Sequence, residues 1–130
     1  MQKTYIAIIA GLVALVALAS TATAAGTKGG RGIVKTGSCS ANSNWKLKAK
    51  NDDGRIETEF EVDSNRVGQQ WNVVIKDNGV IVFSGSRTTQ APSGSFEVRR
   101  LIANRAGTDA IVASAKNPAT GESCVARASI

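Results

Sequence analysis

The sequence of 130 residues contains no histidine. That absence removes the usual general base at neutral pH, the commonest transition-metal ligand and the customary partner of a nucleophilic serine or cysteine. Most hydrolase and oxidase constellations go with it, leaving carboxylate, lysine or serine chemistry as the remaining catalytic options. Aromatic residues are scarce: only Trp45, Phe60, Trp71, Phe83 and Phe96 follow Tyr5, so no exposed platform for stacking sugar rings is expected. Cys39 and Cys124 are the only cysteines, too few without histidine for a usual metal site. Acidic triplets with calcium-loop spacing are also missing, and Asn51-Asp52-Asp53 is short enough to read as a turn. The sequence therefore assigns no catalytic residue, no metal and no cofactor.

Long apolar runs are absent after the first twenty residues. The one that exists, Ile6 to Ala19, is 14 residues long, shorter than the ~20 a helix needs to cross a bilayer. Lys3 precedes it, and Ala22-Thr23-Ala24 follows with the small-x-small pattern of a cleavage site before Ala25. Residues 1–24 thus read as a secretion signal, and no transmembrane segment is expected once it is removed. Residues 25–37 are rich in glycine with Lys28, Arg31 and Lys35, and read as a flexible leader with room for a short edge strand at Ile33 and Val34. Residues 38–130 form the expected domain. In an oxidising compartment Cys39 and Cys124 are expected to pair, closing 84 intervening residues and stabilising the domain by about 4 to 5 kcal/mol on the loop-entropy view.

From Asn44 onward apolar residues recur at every second position, the spacing of strands with one buried face. Trp45, Leu47 and Ala49 alternate with Lys46, Lys48 and Lys50; Ile56, Thr58, Phe60 and Val62 alternate with Glu57, Glu59, Glu61 and Asp63. A turn between them that pairs Lys50 with Arg55 sets Lys48 against Glu57, Lys46 against Glu59 and Trp45 against Phe60, so apolar meets apolar and plus meets minus. Trp71, Val73 and Ile75 mark a third strand, which ends in the Asn78-Gly79 turn of a tight hairpin returning through Val80 to Ser84. A strand from Ser95 to Ile102 carries Arg99-Arg100 across its alternation, which suggests a bulge. Asp109 to Lys116 and Glu122 to Ser129 complete seven strands with no helical spacing anywhere among them. An all-β, two-sheet Greek-key sandwich is the predicted fold.

On Trp71, the Asn78-Gly79 hairpin and the strand count, the chain from Ser38 to Ile130 resembles the single fibronectin type III or immunoglobulin-like domains of bacterial secreted proteins. It departs from that pattern in having no tyrosine after the signal, hence no tyrosine corner, and in carrying its cysteines outside the usual central pair of strands. Asn117-Pro118-Ala119-Thr120-Gly121 is similar to the Asn-Pro-Thr-Thr-Gly loop of chagasin-type inhibitors of cysteine proteases. The aromatic residues and Arg-Pro-Trp loop of those inhibitors are missing here, and hairpin chemistry explains the segment.

The formal charge is +6, or +5 without Lys3. The Lys46, Lys48, Lys50 stripe is offset by the facing glutamates, and Arg99, Arg100 and Arg105, like Arg66 and Arg87, read as scattered surface cations. The expectation is a secreted, monomeric binding module that recognises a protein or envelope polymer through loops or a sheet edge, with nucleic acid not the expected partner. The alternative is a structural envelope- or wall-associated protein held by its basic leader.

Overall fold

A computed structural model describes residues 32–130; the expected signal sequence, residues 1–24, and the expected leader up to residue 31 lie outside the described residues. Eight strands follow one another: β1 (Ile33–Ser38), β2 (Asn44–Asp52), β3 (Arg55–Asp63), β4 (Gln70–Asp77), β5 (Val80–Thr88), β6 (Ser95–Ala103), β7 (Ala110–Lys116) and β8 (Ser123–Ser129). Among the described residues there is no helix, and none long and apolar enough to cross a membrane. The strands form two four-stranded antiparallel sheets, β1-β2-β3-β6 and β5-β4-β7-β8, packed face to face. The eighth strand, beyond the seven expected, is β1, where the sequence leaves room for a short edge strand at Ile33 and Val34. Its glycines and lysine obscure the alternation, yet it pairs along its whole length with β2, from Ile33 opposite Ala49 to Ser38 opposite Asn44.

The expected faces are observed but one expected register is not. Asp52 pairs with Arg55, so Lys50 lies opposite Glu57, Lys48 opposite Glu59 and Lys46 opposite Glu61, two residues along from the predicted partners. The cause is the turn. Asp53 (φ 50°) and Gly54 (φ 80°) both occupy the left-handed region, as a two-residue hairpin of the primed type demands, and Asp-Gly is the dipeptide that tolerates it. A two-residue shift leaves every side chain on its face, which is why the alternation alone did not expose it.

The expected bulge at Arg99-Arg100 is also corrected. Pairing of β6 with β3 runs unbroken from Arg55–Ala103 to Asp63–Ser95. Arg100 keeps the inward phase of Phe96, Val98 and Ile102, but β6 is an edge strand and its guanidinium reaches the open side of the sandwich. The irregularity lies instead between β4 and β5, where Ile75 pairs with Phe83 and Lys76 with Ile81.

Both sheets contribute to one core. Leu47, Ile56, Phe60, Val62 and Val98 meet Trp71, Val73, Ile75 and Ile111, while β7 and β8 offer mainly alanine. The small residues leave room for Trp71, 0% exposed, whose ring tilts against Phe96 at 6.4 Å. Trp45 is half-buried and lies over Gly37, where a Cβ would come within 2.4 Å of its ring. The outer face of the first sheet carries the charge ladder Lys46–Glu61, Lys48–Glu59 and Lys50–Glu57, with Arg99 reaching both Glu57 and Glu59. Pairs as exposed as the first two contribute only about 0.2 to 1 kcal/mol each, so the ladder fixes register more than stability.

Strand alternation sends the loops 39–43, 64–69, 89–94 and 117–122 to one end of the sandwich. The turns at 53–54 and 78–79 and the loop 104–109 form the other end, with Asn104 donating to Asn51 at 3.0 Å.

Candidate functional site

The four-loop end is built from two tied pairs. In the first, the predicted Cys39–Cys124 disulfide joins the β1–β2 loop to β8, with the two Cα atoms 4.3 Å apart. Ser40 N–H donates to the Ser123 carbonyl at 2.8 Å, and Ser123 N–H returns to Ser40 Oγ at 2.9 Å. Glu122 completes the tie. Its Oε2 accepts the Ala41 and Ser43 N–H groups at 3.1 and 3.0 Å, and its Oε1 accepts Ser43 Oγ–H at 2.7 Å. Burial works to raise the pKa of this carboxyl, but the Ser43 and Ala41 hydrogen bonds, helped by the charge of Arg66, outweigh it and hold it below the usual value.

The β7–β8 turn presents Glu122 in that position. Buried Asn117 accepts the Ala119 and Thr120 N–H groups on Oδ1 at 2.9 and 3.3 Å, and the left-handed Gly121 (φ 75°) turns the chain back. The hairpin chemistry expected for this segment is thus what its hydrogen bonds perform.

In the second pair, Gly68 N–H donates to the Thr89 carbonyl at 2.8 Å and Gln69 N–H to Thr89 Oγ1 at 2.9 Å. Ser64 N–H donates to the Gly94 carbonyl at 3.0 Å. Gly94 sits so close beneath the other loop that a Cβ would fall 2.3 Å from the Arg66 nitrogen. Between the two pairs lies an open polar cleft of about 290 Å³. Ser40 and Asn42, Arg66 and Gln69, and Thr120 and Glu122 line it from three loops. Gln69 Oε1 is buried there with no hydrogen-bond partner among the described residues, and Val67, 58% exposed, forms the tip of the adjoining loop. The cleft thus offers one cation, one anion, hydroxyls, amides and an apolar tip, on a frame with little freedom to move.

The other residues marked in the sequence disperse. Lys46, Lys48 and Lys50 are engaged in the ladder, Trp71 is enclosed, and Arg105 Nε lies 3.6 Å from Asp77 Oδ2 at the opposite end. Among the described residues, no three Asp, Glu, Cys or His side chains are placed to hold a metal ion. Lys28 and Arg31 lie outside the described residues, whereas Lys35 stands exposed on β1. Sequence reasoning missed the cleft itself. Glu122 lies more than fifty positions beyond Arg66 and Gln69, and no local pattern signals that three loops converge on the cleft. Compared with known protein families, curated proteins and solved structures, the chain has no match.

Proposed function

We propose that the chain is an exported binding module of the immunoglobulin or fibronectin type III kind, which recognises a protein or envelope polymer through its four-loop end and performs no catalysis. The observation that carries this reading is the polar cleft between two internally bonded loop pairs on a disulfide-tied frame. Such a frame lowers the ordering entropy lost on binding, which is the property recognition loops on a rigid scaffold exploit. The strand order supports the fold assignment: with β1 set aside, β2-β3-β6 against β5-β4-β7-β8 matches an immunoglobulin-type Greek key whose second sheet gains one strand. Export is supported by the signal-like first 24 residues and by a disulfide of the sort that persists in oxidising compartments. Binding is favoured over catalysis because Glu122, the one carboxylate in the cleft, already accepts three hydrogen bonds and is too weak a base to take a proton near neutrality.

A photo-crosslinking side chain at position 67 tests the assignment, with the same group at position 53 on the opposite end as its control. The domain, incubated with intact cells of its source or their envelope fraction, should give a discrete adduct at position 67 that excess unlabelled domain suppresses, and none at position 53. Equal labelling at both ends, or none at position 67, overturns the reading.

A further inference from the structure

On the open side of the sandwich, β5 and β6 are the edge strands of the two sheets and face one another. Phe83, Gly85 and Arg87 share the inward phase of β5, and Arg100 occupies the same phase of β6. Phe83 closes the core there at 8% exposure. Two guanidinium groups lie over its ring, Arg87 at 4.8 Å and Arg100 at 4.7 Å from the centroid. Gly85 makes the arrangement possible, since a Cβ at that position would stand 3.2 Å from Phe83 Cζ and 3.9 Å from Arg87 Nη1.

Covering an apolar ring takes only one such side chain, whose stem and guanidinium shield the ring while the charge stays in water. Both guanidinium carbons lie within 5 Å of one ring centroid, so the two positive charges are less than 10 Å apart and repel each other. No carboxylate offsets them. All ten acidic residues lie at or beyond Asp52, and none of the six ion pairs among the described residues uses Arg87 or Arg100. The glutamate nearest in sequence, Glu97, takes the outward phase of β6, and Glu57 and Glu59 belong to the ladder on that outer face. Arg87 spends one donor, Nη1, on the Ser86 carbonyl at 2.8 Å, and a guanidinium stacked on a ring keeps its remaining N–H groups free in its own plane.

We propose that the notch formed by Phe83, Gly85, Arg87 and Arg100 is a binding site for the oxyanion groups, carboxylate or phosphate, of an anionic ligand. The two forks supply planar, charge-assisted donors, the glycine supplies the space, and the ring holds both guanidinium groups beside the notch before the ligand arrives. The site is distinct from the loop cleft, and its test is independent of what that cleft binds.

Two-dimensional amide NMR of the domain, titrated separately with inorganic pyrophosphate and with citrate at constant ionic strength, reads the site directly. Saturable shifts are expected at Ser86 to Thr88 and Arg99 to Leu101, and the tighter of the two probes identifies phosphate or carboxylate as the preferred group. Arg100→Gln should weaken binding roughly tenfold, the loss of one charge-assisted fork, whereas Arg127→Gln, which removes an equal charge from the face of β8, should leave it unchanged. Gly85→Val fills the notch without altering charge and should abolish the saturable shifts, with the dispersed spectrum reporting that the fold persists. Unsaturable shifts spread over all cationic residues, equal loss in Arg100→Gln and Arg127→Gln, or full binding by Gly85→Val each overturn the proposal.

Discussion

Asp77 and Asp109, each 1% exposed, are both reached by Arg105: its Nε lies 3.6 Å from Asp77 Oδ2, and its backbone N–H donates to Asp109 Oδ1 at 3.4 Å. The other oxygens, Asp77 Oδ1 and Asp109 Oδ2, are buried without a hydrogen-bond partner among the described residues. Burial is the largest influence raising the pKa of Asp77; the neighbouring Asp109 carboxyl adds to it, and the charge of Arg105 opposes.

A group whose pKa is higher in the folded than in the unfolded chain contributes stability below its unfolded value, about 3.9 for aspartate, and that stability is lost as pH rises through the folded value. Glu57 and Glu122 behave oppositely. Their folded pKa values are lowered, Glu57 mainly by the Arg99 hydrogen bond, so they stabilise above the unfolded value and lose that contribution as pH falls through the folded one. Urea midpoints measured across the acid and neutral range should therefore rise and then decline. Asp109→Asn removes the neighbouring carboxyl that raises Asp77, so the decline should flatten while the acid limb stays as it was. Superimposable profiles for the two proteins would mean that Asp109 does not set the pKa of Asp77.

Glu122→Gln should loosen the β1–β2 loop. An amide presents one acceptor where the carboxylate presents two, and its NH₂ group opposes the donors of Ala41 and Ser43. The expected loss is about 1 to 3 kcal/mol, as for other hydrogen bonds to charge, with amide hydrogen exchange accelerated at Ala41 and Ser43. Unchanged protection at those two amides would show that the disulfide alone holds the loop.

Replacing both Cys39 and Cys124 by serine frees a separation of 85 residues in the unfolded chain and should cost about 4 to 5 kcal/mol in chemical denaturation. A cost of no more than about 1 kcal/mol would mean that the unfolded chain is already restrained or that the bond strains the native state.

Two glycines with the same handedness should respond differently to alanine. Gly54 (φ 80°) has open space where a Cβ would stand, so only the left-handed backbone penalty of about 1 to 2 kcal/mol applies. Gly94 (φ 76°) adds a collision with the backbone of Arg66, and Gly94→Ala should lower the melting temperature by clearly more than Gly54→Ala. Equal shifts would mean that the two loops are not in contact.

The buried faces of seven strands were legible because alternation is a local property, and the pairing of Cys39 with Cys124 because only two cysteines exist. β1 reads from sequence as leader with room only for a short edge strand: in Ile-Val-Lys-Thr-Gly-Ser nothing but Ile33 and Gly37 is half-buried, too little to set a period. The register of the first hairpin depends on which dipeptide turns, and the Asp53-Gly54 signal stands beside a competing Asp52-Asp53. Arg100 looked like a break in the pattern because charge was equated with an outward face, whereas at a sheet edge a long side chain can follow the inward phase and still reach water. The loop cleft, the Asp77–Asp109 contact and the notch at Phe83 all join residues distant in sequence, and only the topology brings them together.

The added strand β1 sets a direction. Ile33 lies beside Ala49, near the Asp53-Gly54 turn, so the polypeptide enters the sandwich at the end opposite the cleft. Anything that fastened the protein to a surface through the segment before Gly32 would hold it upright by its foot, with Arg66, Val67 and Glu122 at the far pole and turned toward whatever approaches from outside.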